Sequence, residues 1–128
     1  MKNFPKKILL IDREAGITRL VRQALERAGK YLVQEEHNTQ LALETAHSFQ
    51  PDLIVLDAPA NSLEGQALER QIHADIQLRD TPMVRLGNLK SESQVMSGGI
   101  LSGYSFFAAP IRIEEILRGV DELLFGKD

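Results

Sequence analysis

The stretch Pro51-Asp-Leu-Ile-Val-Leu-Asp57 is an apolar run that ends abruptly in a carboxylate. A short continuous apolar run is typical of a strand that is buried on both faces of a parallel sheet. Lys7-Ile-Leu-Leu-Ile-Asp12 shows the same pattern about 45 residues earlier, a separation that fits a strand, helix, strand, helix, strand unit. If the two strands are parallel neighbours, Asp12 and Asp57 meet at one edge of the sheet.

The rest of the chain alternates between helical and strand spacing. Helical spacing predicts five helices, at 17–28, about 39–49, 62–76, 91–101 and 111–125, and strand spacing predicts three further strands, at 31–36, 81–86 and 103–107. Gly98 and Gly99 each cost about 1 kcal/mol relative to alanine, so the fourth helix should be short or frayed. Five strands alternating with five helices predict an α/β fold, a doubly wound parallel sheet covered on both faces by right-handed crossovers. The sites of such sheets lie at the carboxyl ends of the strands, where Asp12, Asp57, Gly87 and Ala109 fall.

Length and charge limit the classes of function. The length of 128 residues predicts one domain over 1–128, with a core at about 6–125 and no effector domain. The net charge of the chain is −3. Nucleic-acid binding needs clustered cations, and the longest basic cluster is Lys6-Lys7. No apolar run approaches the ~20 residues needed to span a bilayer, and no leader precedes the first strand. We therefore expect a cytoplasmic protein with neither a nucleic-acid nor a membrane partner.

The chain has no cysteine, which excludes disulfides, thiolate catalysis and cysteine zinc sites. Its histidines are far apart and lack the spacing of metal ligands. We interpret them as solvated or locally bonded side chains: His37, His47 and His73.

The order of elements and the residues at the strand ends resemble the receiver domain of bacterial two-component response regulators, from Lys6 to Phe125. Ile8-Leu-Leu-Ile-Asp-Arg-Glu14 resembles the family's first strand, which ends in two adjacent acids. Pro51 to Asp57 resembles its phosphoacceptor strand, and the spacing from Asp57 to Gly65 is also that of the family. The resemblance implies a flavodoxin-like sheet in the order 2-1-3-4-5.

In that family a histidine kinase transfers phosphate to the third-strand aspartate with the help of Mg²⁺, and a hydroxyl and a lysine then hold the phosphoryl group. Carboxylates suit this hard cation, which neutralises phosphoryl charge. The resemblance makes Asp57 the phosphoacceptor position and Asp12, with Glu14, part of an acidic pocket. Asp12 and Asp57 are then the metal-binding positions, and we expect them to bind Mg²⁺ weakly or not at all.

Three positions depart from the family pattern. Arg13 occupies the position of the family's second acid. Gly87 occupies the position of the residue with the switching hydroxyl, and Ala109 occupies the position of the lysine. A guanidinium ~5 Å from a divalent ion, at an effective dielectric constant of ~20, opposes binding by on the order of 6 kcal/mol. We hypothesise that Arg13 instead pairs with Asp57 or Asp12, and the alternative is that it faces solvent.

Two further predictions concern surfaces and charge. Tyr104 and Phe106 are predicted to lie near an interaction surface formed by the fourth helix, the fifth strand and the last helix, because aromatic side chains favour protein contacts. Arg85 interrupts an otherwise apolar strand, and we expect it to extend past a poorly covered helix to solvent, with pairing to an acid as the alternative.

The sequence therefore predicts a receiver-like domain that acts by protein–protein interaction, is not an enzyme and needs no cofactor. Its expected partner is a protein such as a histidine kinase or an output protein, and a homodimer through the same surface is a further expectation. The first alternative is a working phosphoacceptor at Asp57 that uses Mg²⁺. The second is a small-molecule or flavin site, which the acidic loop after the first strand disfavours because it would repel phosphate.

Overall fold

The computed structural model describes residues 5–13, 17–58, 62–86, 99–101, 104–107 and 113–126. Strands and helices alternate through most of this part of the chain. The strands are β1 (Lys6–Asp12), β2 (Tyr31–Glu36), β3 (Leu53–Asp57), β4 (Met83–Leu86), β5 (Gly99–Leu101) and β6 (Tyr104–Phe107). The helices are α1 (Ile17–Arg27), α2 (Ala42–Phe49), α3 (Leu63–Ala74) and α4 (Ile113–Phe125).

All strands form one sheet in the order β2-β1-β3-β4-β6-β5. Every pair from β2 to β6 is parallel, as the predicted order 2-1-3-4-5 requires when β6 is counted as the fifth predicted strand. The α/β doubly wound, flavodoxin-like prediction is therefore confirmed. The order changes direction beside β1, since β2 lies on one side of β1 and β3 on the other, and such a reversal opens a crevice at the carboxyl ends of these strands.

The prediction for the fourth helix is wrong at its end. Residues Gly99–Leu101 form β5, which pairs antiparallel with β6 at the edge of the sheet. Glycine is a poor helix former, whereas antiparallel pairing with β6 satisfies the backbone groups of this segment. Residues 91–98 lie outside the described residues, so the fourth predicted helix has no counterpart among the four described helices, and the fifth corresponds to α4.

The core consists of two layers, one on each face of the sheet. Successive side chains of a strand point to opposite faces, so the fully buried run Ile8–Ile11 contributes alternately to both layers. One layer packs beneath α1 and α4 and the other beneath α2 and α3. Burial on both faces explains why β1 and β3 are continuously apolar in sequence.

Helical spacing also predicts buried apolar positions at Leu20, Leu41, Leu63 and Ile76, and these four predictions are wrong, because the side chains are exposed. Leu20 in α1 is 52% exposed and Leu63 at the start of α3 is 80% exposed. Val21 and Leu25 of α1 are fully buried, and Leu20 lies about 100° away from Val21 around the helix, at the flank of the buried face. Among the described residues, no helix has the length and apolar character needed to cross a bilayer.

Candidate functional site

The two carboxylates predicted to meet do so at the carboxyl edge of the sheet. Asp12 is the last residue of β1 and Asp57 the last residue of β3, and they are direct partners in the parallel register of these strands. The strands form because their apolar residues are buried, and each strand ends at the carboxylate that follows its apolar run. The topology therefore brings together two acids that are far apart in sequence.

Asp12 is buried, with 1% of its surface exposed, and both of its oxygens are engaged. Thr18 in the first turn of α1 donates its hydroxyl hydrogen to Oδ2. Nδ1 of His37 lies 2.8 Å from Oδ1. A buried carboxylate needs such partners, because an isolated buried charge is strongly destabilising.

His37 follows β2 and lies between two carboxylates. Its Nδ1 contacts Asp12, and its Nε2 lies 3.1 Å from Oε1 of Glu35. The other oxygen of Glu35 accepts a hydrogen bond from Nη1 of Arg22 at 2.9 Å. The ring of His37 therefore bridges the two carboxylates.

His37, Thr18 and Glu35 were missed as site residues in the sequence. His37 is half exposed and bonds Glu35 two residues earlier, which agrees with a solvated or locally bonded side chain, but it also bonds Asp12, 25 residues earlier. Strand register carried the missing signal. Ile11 pairs with Glu36, so the residue after β2 falls beside Asp12 at the same edge.

The surroundings of Asp57 disfavour the ionised form of its carboxyl. Burial raises the pKa of its carboxyl to about 6, and the negative charge of Asp12 adds to the effect. The side chain is only partly buried, so it remains accessible from the edge of the sheet. A carboxyl with a pKa near 6 is partly protonated in mildly acidic solution.

Arg13 does not make the contact that was hypothesised. Its Nη1 lies 3.4 Å from Oε1 of Glu64 in the first turn of α3, and 71% of its side chain is exposed. The hypothesis that Arg13 pairs with Asp57 or Asp12 is therefore wrong. The alternative, that Arg13 faces solvent, agrees with its exposed side chain. The raised pKa of Asp57 fits this arrangement, because a paired guanidinium would lower it.

Arg85 lies in β4 below this edge and is paired with an acid. Its Nη1 is 2.5 Å from Oε1 of Glu69 on α3, and its Nη2 donates to the carbonyl oxygen of Ala58 at 3.3 Å. Both charged side chains are largely buried. The predicted extension to solvent is wrong and the alternative, pairing to an acid, is confirmed. Arg85 thereby ties the residue after Asp57 to α3.

Gly65 in α3 packs closely against the same segment. A Cβ atom built on Gly65 would lie 2.9 Å from Cβ of Ala58, closer than side chains normally approach. Ser62 caps the helix beside it by accepting a hydrogen bond from the backbone N–H of Gly65 at 3.0 Å. The spacing from Asp57 to Gly65, on which the resemblance partly rests, thus has a packing reason in this chain.

Several predicted positions cannot be placed. Glu14, Gly87 and Ala109 lie outside the described residues. Tyr104 and Phe106 belong to β6, whose backbone is described but whose side chains are not. Their roles remain predictions.

Comparison with known proteins agrees with this geometry. No protein-family model matches the chain. The chain is 30% identical over 119 residues to the phosphate regulon transcriptional regulatory protein PhoB of Pseudomonas aeruginosa, covering 93% of this chain and 52% of that protein. It is 28% identical over 120 residues to sporulation initiation phosphotransferase F of Bacillus subtilis, covering 93% of this chain and 94% of that protein.

Solved structures show the same fold. The chemotaxis protein CheY4 of Vibrio cholerae superposes with a TM-score of 0.74 at 23% identity, covering 94% of this chain and 99% of that one. The receiver domain of Francisella response regulator 1452 gives a TM-score of 0.74 at 24% identity, covering 93% and 96%. The chain has the fold of a response-regulator receiver domain.

The receiver domain spans about half the length of most of the curated relatives it matches, 52% of PhoB and 50% of the regulator RpaA of Synechocystis. The match to sporulation initiation phosphotransferase F covers nearly all of that protein. The family assignment predicted from the strand ends is therefore confirmed.

Proposed function

We propose that this receiver domain is a cytoplasmic protein-interaction module of two-component signalling, not an enzyme, and that its phosphorylation pocket is degenerate. Position 13 carries the proposal. Where the family has a second acid, this chain has Arg13, whose guanidinium pairs with Glu64 at 3.4 Å on the rim of the carboxylate edge. A cation in that place opposes a divalent ion instead of binding it.

The oxygens of Asp12 support the same conclusion. Mg²⁺ binds oxygen ligands in near-ideal octahedral geometry and gives up its waters reluctantly. Both oxygens of Asp12 already accept hydrogen bonds, from Thr18 and from His37. Asp57 is then the remaining carboxylate at the end of β3. These residues do not fit a strong Mg²⁺ site, and no step of the proposed function runs through that ion.

The sequence lacks two side chains that couple phosphorylation to a conformational change in the family. Gly87 offers no hydroxyl and Ala109 no charge at the positions that hold a phosphoryl group in the family. A ligand shifts a conformational equilibrium only through contacts that differ between the two states. With those two side chains missing, phosphorylation of Asp57 would have little effect on the distal surface, and recognition would depend on one standing conformation.

The proposal is tested by titrating Mg²⁺ into ¹⁵N-labelled protein and following the amide resonances of 10–13 and 56–58. We expect weak binding by the wild type and at least about tenfold tighter binding by Arg13→Asp, a gain of ~1.4 kcal/mol or more. Arg79→Asp is the matched control, since it makes the same charge change in the exposed turn after α3. Tight wild-type binding, or equal gains in both variants, would contradict the proposal.

A second candidate function is a working phosphoacceptor at Asp57. Its partial exposure at the end of β3, directly beside Asp12, favours this alternative. Intact-mass spectrometry after incubation with acetyl phosphate and Mg²⁺ separates the two. The degenerate pocket predicts no adduct, whereas a hydroxylamine-sensitive phosphoryl adduct that is absent from Asp57→Ala would establish the acceptor.

The partners we propose are proteins, a histidine kinase or an output protein, with a homodimer as a further possibility for the same surface. The family resemblance supports this class of partner, and the surface proposed is that of the fifth predicted strand and the last helix, with Tyr104 and Phe106. A sedimentation-velocity comparison of wild type and Phe106→Ala tests the homodimer. A concentration-dependent dimer that is lost in the variant is the expected result.

A further inference from the structure

Asp12, Glu35 and His37 converge on one point beside the pocket, on the side of β1 opposite β3. One ligand-type atom from each of the three side chains lies within 4.8 Å of the other two. Nδ1 of His37 is 2.8 Å from Oδ1 of Asp12, and its Nε2 is 3.1 Å from Oε1 of Glu35. Two ligands of one tetrahedral zinc ion at ~2.1 Å lie about 3.4 Å apart. One ring nitrogen of His37 and the two carboxylate oxygens, which lie within 4.8 Å of one another, would close to that separation around a shared ion.

We propose that these three side chains form a binding site for a first-row transition dication of the zinc type. The site goes beyond the proposed function and does not depend on it. It shares Asp12 with the family's acidic pocket, but its other two ligands come from β2 and from the residue that follows it.

The two carboxylates are held in place by partners on their outer oxygens. The hydroxyl of Thr18 bonds Oδ2 of Asp12, and Nη1 of Arg22 bonds Oε2 of Glu35. The inner oxygens, Oδ1 and Oε1, are left facing His37. Metal sites commonly show this arrangement, in which outer partners orient the ligands, and loss of such partners weakens metal binding.

The charge at this point already favours a cation. Two carboxylates face the ring of His37, one at each nitrogen. A bound ion would take one of these ring nitrogens as its ligand. Asp12 and Glu35 together then match the charge of the dication.

The ligand types select the metal. An imidazole nitrogen suits zinc and its transition-metal neighbours, whereas Mg²⁺ prefers oxygen ligands alone. Three protein ligands leave a fourth coordination position open. An open cavity of about 480 Å³ lies alongside β2 and is lined by Arg22, Glu35, His37 and Phe49, among others, so solvent reaches two of the three ligands. Solvent or a group from a partner can therefore complete the coordination.

The test is a titration of the untagged, chelator-treated chain with Co²⁺, followed by visible absorption, with Zn²⁺ displacing the Co²⁺. The chain has no cysteine, so thiolate ligands cannot produce the signal. We expect one equivalent to bind, with the absorption intensity of a four- or five-coordinate ion. His37→Ala and Glu35→Gln are expected to weaken binding at least about tenfold.

His47→Ala is the matched control. His47 is also a partly exposed histidine with a ring nitrogen 2.7 Å from a carboxylate, that of Asp75, but no third ligand accompanies it among the described residues. This variant should bind Co²⁺ as the wild type does. Circular dichroism of each variant checks that the fold is intact, and Glu35→Gln preserves side-chain shape.

The proposal is overturned if the wild type binds no Co²⁺ or Zn²⁺, or if His37→Ala binds as tightly as wild type. It is also overturned if His47→Ala removes the signal. None of these outcomes bears on the Mg²⁺ titration of Arg13→Asp, so failure of the zinc site and failure of the degenerate pocket are distinguishable.

Discussion

At the scale of single residues, the two carboxylates at the sheet edge differ because their partners differ. Asp12 is the more deeply buried, yet it accepts hydrogen bonds from Thr18 and His37. Asp57 is only partly buried, but its pKa is raised to about 6 by burial and by the nearby charge of Asp12. Burial by itself does not decide the cost of a charge, because hydrogen bonds to the charged form offset it.

The raised pKa of Asp57 predicts a pH-dependent stability. A carboxyl whose pKa is higher in the folded protein, about 6 here, binds its proton more tightly there than in the unfolded chain, where an aspartate titrates near 3.9. Its contribution to the free energy of unfolding therefore grows as the pH falls from above 6 towards 4, and it is lost as the pH rises through 6.

Asp57→Asn removes this titration. We expect the variant to be more stable than wild type by about 1–2 kcal/mol at pH ~8, allowing for solvent screening, and the difference to shrink by pH ~4.5. Urea unfolding in the presence of a chelator measures both. Asp80→Asn, in the exposed turn before β4, controls for the loss of one negative charge. An Asp57→Asn difference that is the same at both pH values would argue against the raised pKa.

At the scale of elements, α4 shows how one helix closes a face of the sheet. Ile116 and Val120 are fully buried against the layer that α1 also covers. Asp121 in α4 connects the helix to the start of β2. Its carboxylate accepts hydrogen bonds from Nζ of Lys30 at 2.5 Å and from the hydroxyl of Tyr31 at 3.1 Å. Phe125 packs at a tilt against Tyr31 with ring centroids 6.2 Å apart.

The buried face of α4 is tested by two identical substitutions in different environments. Ile116→Ala removes a fully buried side chain and should lower the free energy of unfolding by about 2–5 kcal/mol through lost burial and a residual cavity. Ile76→Ala makes the same change in a side chain that is 77% exposed and should cost less than about 0.5 kcal/mol. Equal effects in thermal or urea unfolding would mean that α4 does not cover this face.

At the scale of the whole molecule, the sheet is a partition between two apolar layers. Leu9 and Leu10 are consecutive and both fully buried, yet Leu9 belongs to the layer under α2 and α3 and Leu10 to the layer under α1 and α4. The edge strand β2 is less covered, and Leu32 is half exposed beside the cavity. The interior of the domain therefore depends on β1 being central and on both helix layers being present.

This architecture predicts that neighbouring residues of β1 are equally sensitive. Leu9→Ala and Leu10→Ala should each cost about 2–5 kcal/mol of unfolding free energy, whereas Leu32→Ala in β2 should cost less than about 1 kcal/mol. Chemical denaturation of the three variants provides the comparison. If only one of the two β1 variants were strongly destabilised, one face of the sheet would be solvated and the doubly wound packing would be wrong.

Much of the fold could be predicted from local pattern. The apolar runs of β1 and β3 show in sequence the burial of both strand faces, and their closing carboxylates indicate the functional edge. The segment at 99–101 could not be predicted in the same way. Its apolar and glycine residues are compatible with a frayed helix, and only pairing with β6 makes it a strand, since short strands depend on their neighbours more than on intrinsic preference.

By itself, the sequence determined the parallel sheet and placed Asp12 and Asp57 at its carboxyl edge, because periodic burial is repeated over many residues and each contributes free energy in the same direction. The order of the strands up to β6 was implied by the resemblance to receiver domains. Only the tertiary structure decided the partners of single polar side chains. Arg13 pairs with Glu64, Arg85 with Glu69, and His37 with Asp12 and Glu35. A long charged side chain reaches several oppositely charged groups of similar energy, and the relative placement of whole elements selects among them.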